Sequence, residues 1–343
     1  MRAAVYHGRR DVRVHSVPDP TDPSPGDLVL EIIRAAICGT DASEWAHGPH
    51  LITDPPVVLG HEFVGRVVAV GPDVRDFAQG DRVVSGAGIS CGACGWCRRG
   101  RTNLCADYRT LGLQVDGGLA ELVTLPAATC RPVPGGCGDD AAAMAQPLAV
   151  ALHAARRGGG GPGDTAVVIG AGGVGAFIVA ALADRNVGRI VSIDLDDHRL
   201  EVARSLGAHV TRNLEERDLG DLILDLTDGA GASLVIEASG AAPAPAAALT
   251  GVAPGGRVVL VGLAADPVRL DLRSAILREI DITTSVAHVC DEDLPDALEI
   301  LTDDAISEVV MQGVIPLDDV VDLGLAALHE RTATGKILVD PRR

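Results

Sequence analysis

Apolar and polar positions alternate over Leu28–Ile33, which predicts a half-buried strand. The run Val64–Val70, closed by Gly71-Pro72, and the segment Asp81–Val84 predict further strands. Residues 1 to about 150 therefore form a β-rich region. Near Arg156 the texture changes. Gly158 to Gly161, Pro162 and Gly163 make a turn. Beyond it, strand-like runs at Thr165–Ile169, Arg189–Asp194, Leu234–Glu237, Arg257–Val261 and Asp281–Ser285 alternate with helical patterns such as His198–Leu206. Strict alternation of this kind calls for a parallel sheet with helices on both faces. From about residue 290 the chain leaves that sheet. A helix at Leu294–Leu301 and strands near Val309–Ile315 and Ile337–Val339 follow, with no internal repeat and no low-complexity tail.

A chain of 343 residues suits two domains, or one fold with a large insertion, since a domain holds roughly 100–200 residues. Acidic residues outnumber basic ones by 47 to 29, a formal charge of −18. That is the wrong sign for a phosphate-backbone binder, so nucleic acid is not an expected partner. With 47% hydrophobic residues, 2% aromatic and 41 glycines, the core must be aliphatic and the turns tight, which excludes collagen, mucin and disorder. The longest uncharged stretch, Thr165–Ala183, contains Gly170, Gly172, Gly173 and Gly175, and bunched glycine marks a strand turning into a helix rather than a lipid span. Charges interrupt MRAAVYHGRRDVRV before a signal-peptide core forms. The expectation is a cytoplasmic protein without a membrane segment, whose eight cysteines are ligands or core fillers rather than disulfides.

Gly170-Ala171-Gly172-Gly173-Val174-Gly175 follows an aliphatic strand and opens a helix, as a dinucleotide fingerprint requires. Gly170 permits the tight turn, Gly172 lets backbone approach a pyrophosphate, and Gly175 lets helix and strand pack closely. The helix N-terminus offers free N–H donors and partial positive charge to the phosphates. Asp194 ends the next strand and can accept both ribose hydroxyls. A 2′-phosphate would face Asp194, Asp196 and Asp197 together, so NAD is preferred over NADP. The bland alternative is an acid that merely caps the next helix.

Cys91, Cys94, Cys97 and Cys105 form C-x2-C-x2-C-x7-C, with Gly92, Gly95 and Gly100 supplying turns. Four thiolates at this spacing suit tetrahedral zinc with no open position, a structural site; an iron–sulfur centre finds no other support in the chain. Cys38 in Cys-Gly-Thr-Asp, and His61 and Glu62 after Pro55-Pro56, form a second set of zinc-type ligands. Fewer than four fixed ligands would leave room for a substrate oxygen. Asp41 is placed to orient the ring of His61. Taken alone, these residues are equally at home as a core cysteine and a satisfied histidine.

The order Cys38-Gly39-Thr40-Asp41, Gly60-His61-Glu62, the four-cysteine lobe, Gln146 to His153, the glycine fingerprint, Val261-Gly262-Leu263 and Gly335-Lys336-Ile337 resembles the zinc-dependent medium-chain alcohol dehydrogenases, most of all their polyol, butanediol and threonine dehydrogenase branch. The resemblance spans essentially the whole chain. It implies a GroES-like catalytic domain over residues 1–153, with a structural zinc lobe at about 88–108, a Rossmann NAD-binding domain over 154–289, and a return to the catalytic domain over 290–343. A catalytic zinc would lie in the cleft between the domains. Cys38, His61 and Glu62 would be its ligands, with Gln146 at the fourth position. Thr40 would take the substrate proton, and Val174, Asp194, Arg199, Val261 and Leu263 would contact the cofactor. The implied reaction is hydride transfer between NAD and a secondary alcohol or ketone such as a polyol or sugar, in a homodimer or homotetramer.

Two departures sit at the chemistry. Most of the branch has Glu where this chain has Gln146, and many members place a relay histidine where it has Ser43. A neutral Gln146 beside ionised Cys38 and Glu62 gives a ligand charge of about −2, which cancels the ion; a fourth, anionic ligand would overshoot it. Ser43 would continue the proton path from Thr40 without storing charge. Where some polyol members carry an Arg-Tyr pair that binds substrate, this chain has Val286-Ala287-His288, and His288 is the candidate there. Two other functions stay open: a zinc-free reductase of an activated double bond on the same fold, and a non-catalytic NAD-binding protein.

Overall fold

The alternation at Leu28–Ile33 lies inside a ten-residue strand, Asp27–Ala36, whose inward residues Leu28, Leu30 and Ile32 are fully buried. The computed structural model describes residues 1–20, 22–264, 266–303 and 305–343. They form two units, Met1–Ala149 with Ala287–Arg343, and Val150–Val286.

In the first unit a seven-stranded sheet runs in the order Cys130–Pro132, Arg82–Ser85, Glu62–Val70, Asp27–Ala36, Lys336–Asp340, Met311–Pro316, with Leu122–Pro126 also paired to Asp27–Ala36. Leu28, Leu30, Ile32, Phe63, Val67, Leu125, Ile337 and Val339 fill its core, each such burial contributing roughly 1.5–3 kcal/mol. The N-terminal segment, which carries no predicted element, is an antiparallel hairpin of Arg2–Gly8 and Asp11–Ser16. It turns through Arg10 at φ 59°, a left-handed position where sequence analysis looks for Gly or Asn. The strand expected near Val309–Ile315 is displaced. Val309 and Val310 belong to a short helix, Ala305–Val310, that buries Ser307 and Val310 on one face, and the strand begins at Met311.

The second unit is a six-stranded, wholly parallel sheet in the order Val210–Asn213, Arg189–Asp194, Thr165–Ile169, Ala232–Glu237, Val252–Leu260, Asp281–Thr284. Chain order reverses between Thr165–Ile169 and Ala232–Glu237, which opens a crevice at the carboxyl ends of those strands. Helix Gly173–Asp184 buries every residue from Gly175 to Leu182. Among the described residues no helix is long and apolar enough to cross a membrane.

Candidate metal centres and dinucleotide site

Two short 3-10 turns, Cys97–Arg99 and Thr102–Leu104, fold the cysteine lobe, helped by Gly92 and Gly100 at φ 68° and 75°. The four sulfurs all lie within 4.8 Å of one another, and none forms a disulfide. Cys94 and Cys97 Sγ are 3.6 Å apart, close to the ~3.8 Å between sulfurs of a tetrahedron with Zn–S of about 2.3 Å. The amides of Cys97 and Ala106 donate to Cys94 and draw its thiol down to about 6. Cys105 Sγ accepts from the amides of Cys91 and Asp107 at 3.2 and 3.3 Å. Amides aimed at sulfur favour thiolate, the form that ligates zinc. The donor set fits a closed, structural zinc.

Cys38 caps helix Gly39–His47: its sulfur accepts from Thr40 N at 3.5 Å, while Asp41 Oδ2 accepts from Cys38 N at 2.9 Å. This reciprocal cap holds the sulfur at the helix N-terminus. His61 directly follows Gly60, whose φ of 97° and contact with Leu119 N leave no room for a side chain, and Glu62 opens the strand Glu62–Val70. The ligand atoms of Cys38, His61 and Glu62 converge within 4.8 Å. Asp41 Oδ1 stands 3.5 Å from His61 Nδ1. Burial works against a charged imidazole, yet Asp41 and Cys38 hold His61 well above its ordinary value. Sulfur, imidazole and buried carboxylate together fit a zinc-type cation.

Lys336, expected only as part of the C-terminal Gly335-Lys336-Ile337 motif, also joins this site. Its ammonium pairs with Glu62 Oε2, both side chains being nearly buried. Burial opposes its charge, but Glu62, Cys38 and Asp41 hold the ammonium above its ordinary value. The available signal was compositional: Lys336 is the only lysine in the chain.

Thr40 sits half-buried in the first turn of helix Gly39–His47, and Ser43, three residues on, is exposed. Gln146 is buried at the start of helix Ala145–Gly158. His288 is buried beside Gly86, next to Cys290, and among the described residues it joins neither ligand cluster.

In the second unit Gly170 has φ 91°. A Cβ on Gly175 would lie 1.8 Å from Gly170 O, whereas nothing crowds Gly173 and only Arg199 Nη1, at 3.9 Å, approaches Gly172. The turn is therefore open toward the helix N-terminus and closed behind it. Asp194 Oδ2 accepts from Ala171 N at 2.6 Å, and Oδ1 accepts from the amides of Leu195 and Asp196 at 2.8 and 3.0 Å. Asp194 thus ties the glycine turn to its own strand end, a structural duty besides the ribose contact expected of it. Val174 is half-buried and Leu263 is 83% exposed. Glu237, missed by sequence analysis, is a buried carboxylate at the end of strand Ala232–Glu237. It accepts from Ser239 N, Ser239 Oγ and Gly240 N at 2.7, 2.6 and 3.0 Å, while its carbonyl accepts from Val261 and Gly262 N. It shapes the loops on one side of the crevice.

A parallel sheet with a glycine turn at its reversal, in a chain that also gathers two sets of zinc-type ligands, defines a nucleotide-binding metalloenzyme. Residues 24–135 match the alcohol dehydrogenase GroES-like domain, and residues 173–340 match the zinc-binding dehydrogenases. Sorbitol dehydrogenase of Bacillus subtilis (strain 168) is 30% identical over 348 residues, covering 100% of this chain and 98% of that protein. The structure of alcohol dehydrogenase TADH from Thermus sp. ATN1 superposes with a TM-score of 0.91 at 32% identity, with 99% of each chain covered. Two further structures, each 28% identical and covering 99% of both chains, hold NADH (an alcohol dehydrogenase of E. coli CFT073, TM-score 0.91) and NADP (a zinc-binding dehydrogenase of Sinorhizobium meliloti 1021, TM-score 0.90). The chain belongs to the zinc-dependent medium-chain alcohol dehydrogenases, polyol-like branch, and is an oxidoreductase that uses zinc and a nicotinamide cofactor. Neither the double-bond reductase nor the non-catalytic reading is favoured by these relatives.

Proposed function

We propose that this enzyme reversibly oxidises a secondary alcohol of a polyol, sugar or related hydroxylated small molecule, with NAD preferred over NADP. The observation that carries the reading is the convergence of Cys38, His61 and Glu62 within 4.8 Å, in a chain that also builds the glycine turn. Cys38, His61 and Glu62 would hold a catalytic zinc with Gln146 as the fourth donor, and Cys91, Cys94, Cys97 and Cys105 a structural one. When bound, zinc supplies Lewis-acid polarisation of the alcohol oxygen and the nicotinamide supplies the hydride acceptor.

The protein's own groups move the proton and place the reactants. Thr40 Oγ1 would accept the alcohol proton as it gives up its own to the cofactor ribose or to Ser43 Oγ, three residues along the same helix face and exposed, which in turn releases one to water. Asp41 keeps His61 in one orientation. Amides of Gly172 to Gly175 receive the pyrophosphate, Arg199 flanks it, and Asp194 takes the ribose hydroxyls, with Val261 and Leu263 on the nicotinamide side. The cluster of Asp194, Asp196 and Asp197 disfavours a 2′-phosphate.

We also read the protein as a homodimer or homotetramer. The edge strand Asp281–Thr284 and helix Leu272–Leu277 expose Ile282, Leu272, Ile276 and Leu277, apolar side chains that association would cover. The test is a panel of polyols and sugars assayed with NAD and NADP side by side, together with a zinc count. Turnover of a polyol with NAD and two zinc ions per chain are expected. Tight NAD binding without turnover of any alcohol would refute the proposal.

A further inference from the structure

Of 29 basic residues, 28 are arginine and one is Lys336. Where every other cation is arginine, the exception marks a place where arginine does not serve. Lys336 opens the strand Lys336–Asp340, and the register Leu338 to Ala36 to Glu62 brings that strand across Asp27–Ala36 to the carboxylate. The backbone before it is fixed: Gln312 Oε1 accepts from Thr334 and Gly335 N at 2.8 and 3.3 Å, and a side chain on Gly335 would strike Val310 O. The ammonium is thus delivered to Glu62 Oε2, with side-chain exposures of 9% and 2%.

We infer that Lys336 is the counter-cation that sets how firmly Glu62 holds metal at the Cys38–His61–Glu62 site, by occupying one carboxylate oxygen and leaving the other for the ion. The inference rests on the proposed reading of that site as a metal centre. An ammonium is a compact point charge that satisfies one oxygen. A guanidinium binds both oxygens of a carboxylate in a fork and would withdraw Glu62 from the metal altogether. An apolar side chain would leave Glu62 as a buried, uncompensated anion, for which the metal becomes the sole partner. Lys336→Arg and Lys336→Met therefore have opposite effects.

The test is zinc release from the purified holoenzyme into excess chelator, with the four-cysteine zinc as internal reference. Outer-shell changes move metal affinity by about 10- to 100-fold. Release from the Glu62 site should slow by that order in Lys336→Met and quicken comparably in Lys336→Arg. Both effects should vanish in a Glu62→Gln background. Shifts in the same direction, unchanged rates, or effects that persist without Glu62 overturn the role of Lys336 while leaving the metal site standing. Should Lys336→Met fail to fold, quicker release in Lys336→Arg alone, abolished by Glu62→Gln, carries the inference. Wild-type enzyme that holds only the four-cysteine zinc overturns the site reading and this inference with it.

Discussion

Alanine at Gly175 tests whether the glycine turn is built as described. The new methyl would stand 1.8 Å from Gly170 O and 2.8 Å from Gly170 C, against the 3.4 Å at which ordinary contact begins. Both neighbours are backbone, so no side-chain rotation relieves the clash. Helix Gly173–Asp184 must retreat from the turn by about 1.6 Å, the difference between 3.4 and 1.8 Å. Overpacking of this kind costs about 1–3 kcal/mol. At roughly 2–4 °C per kcal/mol, melting should drop by several degrees. Amides that retreat with the helix lose a charge-assisted bond to the pyrophosphate, worth about 1.5–3 kcal/mol, or roughly 10- to 150-fold in cofactor affinity. The assay is NADH fluorescence titration and thermal melting of Gly175→Ala beside Gly163→Ala. Gly163 has no neighbour within 4 Å and no positive φ, and its variant should match wild type. A Gly175→Ala enzyme that melts and binds NADH like wild type would refute the argument.

Asp194→Ser removes an acceptor of three amides and the charge that opposes a 2′-phosphate; the ratio of kcat/KM for NAD over NADP should fall by about tenfold or more, and an unchanged ratio would place the discrimination elsewhere. Gln146→Glu adds a negative donor, so zinc should be retained more tightly and the pH profile of the rate should move upward; identical metal content and profile would remove Gln146 from the site. Thr40→Val should abolish alcohol turnover and Ser43→His should flatten the pH profile, whereas full activity in Thr40→Val would show the proton leaving by another path. Burial pushes Cys130 up to about 12 and Cys290 up to about 11. These thiols stay protonated in the fold after they ionise in the unfolded chain, so their contribution is intact below about pH 8.5 and is lost as pH climbs toward 11–12. The free energy of unfolding, measured by denaturant titration, should fall over that window by up to about 1.4 kcal/mol per pH unit per thiol, less steeply in Cys290→Ala; equal slopes would contradict the assignment.

The buried strands were the easiest elements to read. Thr165–Ile169 and Arg189–Asp194 match their predicted bounds, because strands covered on both faces are continuous apolar runs that stop at a turn or a carboxylate. The edge strand Val210–Asn213 escaped notice since Thr211, Arg212 and Asn213 interrupt any apolar run. The N-terminal hairpin escaped because Arg10 fills a position that usually advertises itself with glycine. At the candidate site, local spacing singled out Cys38, His61 and Glu62, whose donor atoms do converge. Lys336 was invisible to spacing: it reaches Glu62 only through the pairing of distant strands. Glu237 resembled any strand end: its carboxylate accepts from Ser239 and Gly240, two and three residues on, a local turn that periodicity does not register.

The placement of Lys336–Asp340 inside the sheet of the first unit also orders events on the ribosome. Residues Val150–Val286 form one uninterrupted stretch and can close their sheet while synthesis continues. The first unit, although begun earlier, has to wait with the flank of Asp27–Ala36 uncovered until the strand that carries Lys336 emerges. The second unit is thus made after most of the first yet can mature before it, and Lys336 reaches Glu62 only once that unit has been synthesised.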